Sequence, residues 1–177
     1  MAADIPVIET ARLVLRAPRT ADFDAAAAMW RDPIVVRHIG GRPSTREEVW
    51  GRILRYLGHW AALGHGFWAI EERGGRFVGE CGFADFHREL EPGFGDTPEA
   101  GWALASWAHG KGYAREAVEA ALAWGDANLP GDRVVCMIDP GNIASLRLAA
   151  RVGFVETAQA TYKGDPTLLF ERRRPRP

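Results

Sequence analysis

Apolar residues change their spacing several times along the chain, and each change marks an element. Residues 12–16 alternate charged and apolar positions, the mark of a half-buried strand. Thr20 is placed to cap a helix with Asp22 and Asp24 in its first turn, where carboxylates meet the positive end of the dipole. Phe23, Ala26, Ala27 and Trp30 would share one face of that helix, and Pro33 would end it. A second helix is signalled by Thr45-Arg46-Glu47-Glu48, a capping box in which Thr and the Glu three later satisfy free N–H groups reciprocally. Val49, Trp50, Ile53, Leu54, Leu57 and Trp60 then recur at helical spacing until Gly64.

The period then shortens. Residues 67–71 and 77–83 read as paired strands, with Gly74-Gly75 supplying a hairpin turn. Pro92, Gly93, Gly95 and Pro98 make 89–98 an exposed loop. Residues 100–105 form the next strand, and Ala114, Ala117, Val118, Ala121 and Leu122 make one helix face. The unbroken apolar run 134–138 predicts a central strand buried on both sides. Asn142 caps a short helix that stops at Gly153, and 154–162 and 167–171 close the chain as strands. This order predicts one mixed α/β sheet domain over 1–171, with a basic tail at 172–177.

The composition narrows the function classes. A chain of 177 residues with 47% hydrophobic positions has ample core for one domain. The 22 basic residues are matched by 23 acidic ones, which disfavours a nucleic-acid binder. Arg172, Arg173, Arg174 and Arg176 read as a solvated terminus; contact with an acidic partner such as RNA is the sharper reading. No apolar run reaches the roughly 20 residues of a membrane span, and MAADIPVIET has no secretory pattern, so a cytoplasmic location is expected. Cys81 and Cys136 are expected in the core, and the histidines lack metal-ligand spacing. Trp30, Trp50, Trp60 and Trp68 are read as core, some of them candidates to line a pocket.

One stretch carries chemistry. A strand ending near Leu104 and Ala105 runs into His109-Gly110-Lys111-Gly112-Tyr113-Ala114, where a helix begins. Glycines let main-chain N–H groups approach a ligand, and a helix N-terminus adds free N–H groups and about half a positive charge. That combination suits a pyrophosphate. The spacing is neither a Walker loop, since Gly112 follows Lys111, nor a dinucleotide fingerprint, since Arg115 fills the third glycine position.

The same six residues resemble the acetyl-CoA signature R/Q-x-x-G-x-G/A of the GNAT N-acetyltransferases, with His109 in the Arg/Gln place. Asn142-Ile143-Ala144-Ser145 followed by Gly153-Phe154 resembles the superfamily's second CoA-contacting segment. Thr10-x-Arg12-Leu13-x-Leu15-Arg16 and Trp107-x-x-Gly110-Lys111-Gly112 resemble the branch of bacterial ribosomal-protein N-terminal acetyltransferases.

The resemblance implies a GNAT fold, a mixed sheet flanked by helices and splayed between its fourth and fifth strands, here 101–105 and 134–138. It implies acetyl-CoA as cosubstrate, no metal, and a primary amine as acceptor, on a protein N-terminus or a small molecule. The cofactor contacts would be Leu104, Ala105, His109, Gly110, Lys111, Gly112, Tyr113, Ala114, Arg115, Asn142 and Ser145. Arg115 reads equally as a solvent-facing helix residue and Asn142 as a plain helix cap. Glu99 is the candidate base, against a bland reading as a loop carboxylate; Ser145 or Tyr162 would stabilise the departing thiolate, with Ser145 preferred. Strand amides could polarise the thioester carbonyl. Deprotonating an α-amine at pH 7 costs about 1.4 kcal/mol, against about 4.6 kcal/mol for a lysine-like amine. A CoA-binding sensor or scaffold without catalysis is the rival reading, and a homodimer stays open.

Overall fold

The computed structural model describes residues 4–175. Its elements run β1 (Ile8–Glu9), β2 (Leu13–Arg16), a 3-10 turn (Thr20–Asp22), α1 (Phe23–Arg31), α2 (Pro33–Val36) and α3 (Arg46–Leu63). They continue with β3 (Phe67–Glu72), β4 (Phe77–Ala84), β5 (Glu99–Leu104), a 3-10 turn (Ser106–Ala108) and α4 (Tyr113–Asn128). The chain closes with β6 (Arg133–Ile138), α5 (Ile143–Arg151), β7 (Val155–Tyr162) and β8 (Asp165–Arg173). One eight-stranded mixed sheet results, in the order β1-β2-β3-β4-β5-β6-β8-β7. The strands expected to be fourth and fifth are thus β5 and β6, because the two-residue β1 has no period of its own to read.

Two cores lie on the two sides of the sheet. Val118, Ala121 and Leu122 of α4 and Leu148 and Ala149 of α5 pack against Val78, Cys81, Phe83 and Leu104. Ala26, Ala27 and Trp30 of α1, Val35 and Val36 of α2, and Val49 and Ile53 of α3 pack with Ala103 and Ala105. Alternation along β5 sends Leu104 to one side and its neighbours Ala103 and Ala105 to the other. Trp60 at the end of α3 reaches the first core and meets Trp68 and Trp124 edge-on, at centroid distances of 4.8 and 5.4 Å. The thiols of Cys81 and Cys136 are free and buried, and burial pushes both pKa values up.

Several expectations hold in detail. Thr45 accepts from the Glu48 N–H at 3.2 Å and Glu48 accepts from the Thr45 N–H at 2.7 Å, completing the capping box of α3. Gly64 ends that helix in the left-handed region at φ 70°. β6 is buried along almost its whole length.

Others need correction. The first helix is capped one turn differently: Arg19 is the cap of the 3-10 turn, and Asp22 accepts from the Arg19 N–H at 2.8 Å. Pro33 opens α2 rather than merely ending α1, because Asp32 caps it by accepting from the Ile34 N–H at 2.9 Å. Trp50 and Leu54 lie on the outer flank of α3, 40% and 46% exposed, since the buried stripe is Val49, Ile53, Tyr56 and Trp60. β8 extends through Arg173, so the expected tail begins within a strand. Arg172 grips Asp126 of α4 with two bonds of 2.7 and 2.8 Å, and Arg174 donates to the Leu129 carbonyl at 2.8 Å. Arg176 of that tail lies outside the described residues.

Candidate active site

β5 and β6 are parallel neighbours joined by a single rung, Glu99 opposite Val135, where the Val135 N–H donates to the Pro98 carbonyl at 3.1 Å. Past that rung the strands diverge, and β5 keeps no strand partner on that side, among the described residues, from Gly101 to Leu104. A free strand edge offers main-chain donors and acceptors to anything extended that enters the gap. Trp102 of β5 points to the side of the sheet that carries α4 and α5, its indole N–H donating to Ser145 Oγ on α5 at 3.2 Å. The segment around α2 touches both lips: Ser106 Oγ donates to Asp32 at 2.5 Å, and His38 Nδ1 lies 3.5 Å from Asp139.

The gap leads to the glycine loop. Gly110 and Gly112 have φ of 73° and 78°, a region that β-branched residues avoid, and Gly112 is the N-cap of α4. A Cβ on Gly110 would meet nothing within 4 Å, so the space above the loop is open. The start of α4 is fixed from the N-terminal segment. Glu116 accepts from Thr10 Oγ1 at 2.6 Å, from the Arg12 N–H at 2.8 Å and from Arg12 Nε at 2.7 Å. Burial alone would raise the Glu116 pKa; the bonds from Thr10 and Arg12 outweigh it and hold the carboxyl below its ordinary range. Arg12 also donates to the Lys111 carbonyl at 2.9 Å, so the Thr10-x-Arg12 motif is the brace of the loop.

The expected contact residues divide by what they already do. Leu104 and Ala105 end β5, and the Leu104 carbonyl accepts from His109 Nε2 at 2.9 Å. His109 thus closes the loop on itself. Lys111 lies over the Trp107 ring at 4.8 Å, and Tyr113 donates its OH to Glu72 at 2.7 Å. Ala114 stands half-buried in the first turn of α4. Arg115 pairs with Glu119 at 2.7 Å on the exposed face of the helix. Asn142 caps α5 by accepting from the Ser145 N–H at 3.2 Å.

The expected reaction residues sit at the gap. Glu99 is the first residue of β5, not part of the preceding loop, and is 7% exposed at the rung that closes the gap. Both its oxygens are gripped by Arg88, at 2.6 and 2.8 Å, and Arg88 also donates to Tyr162 OH at 3.1 Å. Beside this pair a cavity of about 230 Å³ opens under the β4–β5 loop, lined by Phe86, Phe94, Asp85 and Asp96 together with Arg88 and Glu99.

Sequence reasoning missed Arg88 and a second buried carboxylate, Glu80. Glu80 lies mid-β4 opposite Ala103, facing α1 and α3. Trp30 Nε1 and Tyr56 OH each donate to it at 3.1 Å, and Arg52 stacks over the Trp30 ring at 3.8 Å. Burial pushes the Glu80 pKa up. A lone acidic residue in an otherwise apolar strand was its only signal. Among the described residues no group of three or more His, Cys, Asp or Glu side chains could hold a metal ion, and no helix is long and apolar enough to cross a membrane.

A splayed parallel pair running into a glycine loop at a helix start is the layout of one acyltransferase fold, and comparison with known proteins agrees. A family model described as "Acetyltransferase (GNAT) domain" matches residues 12–155. The chain is 39% identical to a putative GNAT-family acetyltransferase of Bordetella pertussis, with a TM-score of 0.83 over 94% of this chain and 99% of that one. It is 30% identical to the uncharacterised protein YkkB of Bacillus subtilis (strain 168) across 82% of each chain. It shares its fold with RimL, a ribosomal L7/L12 α-N-protein acetyltransferase in complex with coenzyme A, at a TM-score of 0.77 and 16% identity over 95% of this chain and 98% of that one. The chain belongs to the GNAT family of N-acetyltransferases.

Proposed function

We propose that the protein transfers an acetyl group from acetyl-CoA to a primary amine, either a protein N-terminal α-amine or a small-molecule amine. The carrying observation is the single-rung gap between β5 and β6, which opens straight onto two left-handed glycines at the start of α4. The unfilled space above Gly110 and the free edge of β5 fit a phosphate-bearing, extended donor. Acetyl-CoA, when bound, supplies the acetyl group as an activated thioester. The amides from Gly110 to Ala114 hold its pyrophosphate, and main-chain groups of β5 hold its arm. RimL's own complex with coenzyme A, on the same fold, supports this donor.

The acceptor enters by the cavity under the β4–β5 loop. Arg88 holds Glu99 in place, leaving each carboxylate oxygen a further lone pair for the amine proton, directly or through a water. Ser145 donates its hydroxyl hydrogen to the departing sulfur. The free, buried thiols of Cys81 and Cys136 agree with a cytoplasmic protein. Release of free CoA, measured against peptides with free α-amines, lysine-like amines and small diamines, tests the reading. Release matched by acetylated amine is expected with at least one class. Tight acetyl-CoA binding without release by any amine would favour a sensor or scaffold instead.

A further inference from the structure

The reading of Ser145 above leaves a question of direction, since a serine hydroxyl rotates freely and can donate anywhere. We infer that Trp102 is a positioning residue that aims the Ser145 hydroxyl hydrogen into the gap between β5 and β6. An indole N–H only donates, so in the 3.2 Å bond between them Ser145 Oγ must be the acceptor. That bond fixes the oxygen and keeps its hydrogen off the Trp102 side.

The usual local outlet for a serine in a helix is the carbonyl three or four residues back. Three and four back are Asn142 and Gly141, whose carbonyls accept from the Leu146 and Ile143 N–H groups at 3.0 Å each and, among the described residues, from no serine hydroxyl. The Ser145 N–H is held by Asn142 Oδ1, which fixes the backbone that carries the hydroxyl. Among the described residues Ser145 Oγ donates to no protein group. The indole is itself fixed, half-buried against the first core with its ring 6.5 Å from that of Phe154.

The step this serves is balanced as follows. The bond from amine nitrogen to acetyl carbon forms and the carbon–sulfur bond breaks, its electron pair leaving on sulfur. The amine proton goes to Glu99 or to water. Ser145 contributes a hydrogen bond to the sulfur without losing its proton, and the thiol is completed from solvent. A hydrogen bond to a charged atom is worth about 10- to 100-fold in rate, and loss of its alignment a part of that.

Two measurements test the proposal. In a proton–nitrogen spectrum of the free protein, the Trp102 indole signal is the one of seven that Trp102→Phe removes. Ser145→Ala should move that signal and leave the other six in place; an unmoved signal would overturn the contact, and this arm needs no folded Trp102 variant beyond the assignment. In kinetics, Trp102→Phe should lower kcat about three- to tenfold with KM for acetyl-CoA within about twofold. The loss should vanish in a Ser145→Ala background and shrink with acyl donors whose thiols are more acidic. Losses that multiply in the double variant, or a loss equal for all donors, would make Trp102 a packing residue only. If Ser145→Ala alone turned over like wild type, the Ser145 role would fall and this inference with it, while acetyl-CoA binding would stand.

Discussion

On the α4 side the gap is bounded by main chain: the free edge of β5, two left-handed glycines and the first turn of α4. The other sites are built from side chains drawn from far-apart positions: Trp30, Arg52, Tyr56 and Glu80 on the α1–α3 side, and Arg88 and Glu99 at the cavity under the β4–β5 loop. Each side also holds a carboxylate, and the two are pushed in opposite directions. Glu116, fed by three donors, stays below its ordinary range; Glu80, buried, rises above it. Under the proposed function the first construction takes up the donor's phosphate chain. The second can be redrawn residue by residue, as befits an acceptor site.

The sharpest attempt to break this division is Glu99→Gln. Turnover should fall about 10²- to 10⁴-fold while acetyl-CoA affinity is kept. The loss should shrink from about pH 8 for an α-amine and nearer 10 for a lysine-like amine, as the amine neutralises itself. Wild-type turnover at pH 7 would transfer the role to the Asp85–Glu91 segment. Next in size, Glu80→Leu strips Trp30 and Tyr56 of their acceptor beside a partly buried guanidinium and should cost roughly 3 kcal/mol in urea unfolding. Gly112→Val forces a β-branched residue to φ 78°. Acetyl-CoA affinity should drop at least about tenfold by calorimetry, with most of the free protein's stability retained; unchanged affinity would place the phosphates elsewhere.

The smallest effects are in pH dependence, and their signs differ. Glu80 has a raised folded pKa, so its contribution is full below about pH 4.3 and is lost as pH rises through the folded value. Glu80→Gln should therefore gain on wild type as pH rises from 4 towards 8. Glu116 has a lowered folded pKa, so its contribution is present above about pH 4.3 and is lost as pH falls through the folded value. The deficit of Glu116→Gln should fade in acid. Parallel pH slopes for the two variants would contradict the assignment.

What the sequence made legible follows the same division. The capping box at Thr45, the stop at Gly64, the loop from His109 to Ala114 and the cap at Asn142 are local devices, each contained in a few consecutive residues. They were readable because their physics is local. The partners of Glu99 and Glu80 lie 11 to 74 and 24 to 50 positions from the residues they bond or bridge to, so no spacing rule could pair them. The sequence leaves Glu99 open between a base and a loop carboxylate beside Pro98, because the partner that accompanies its burial at the start of β5, Arg88, lies 11 positions away. The arginines after position 171 read as a free tail for want of Asp126, which the fold alone brings to Arg172.

Hydrogen exchange with and without saturating acetyl-CoA tests the division most directly, because it reports main-chain amides segment by segment. Protection should appear in β5 from Gly101 to Leu104 and in the loop from Gly110 to Ala114, with the β4–β5 loop unchanged until an amine acceptor is added. Protection confined to the β4–β5 loop, or none in either main-chain segment, would contradict a donor site built on the gap and the glycine loop.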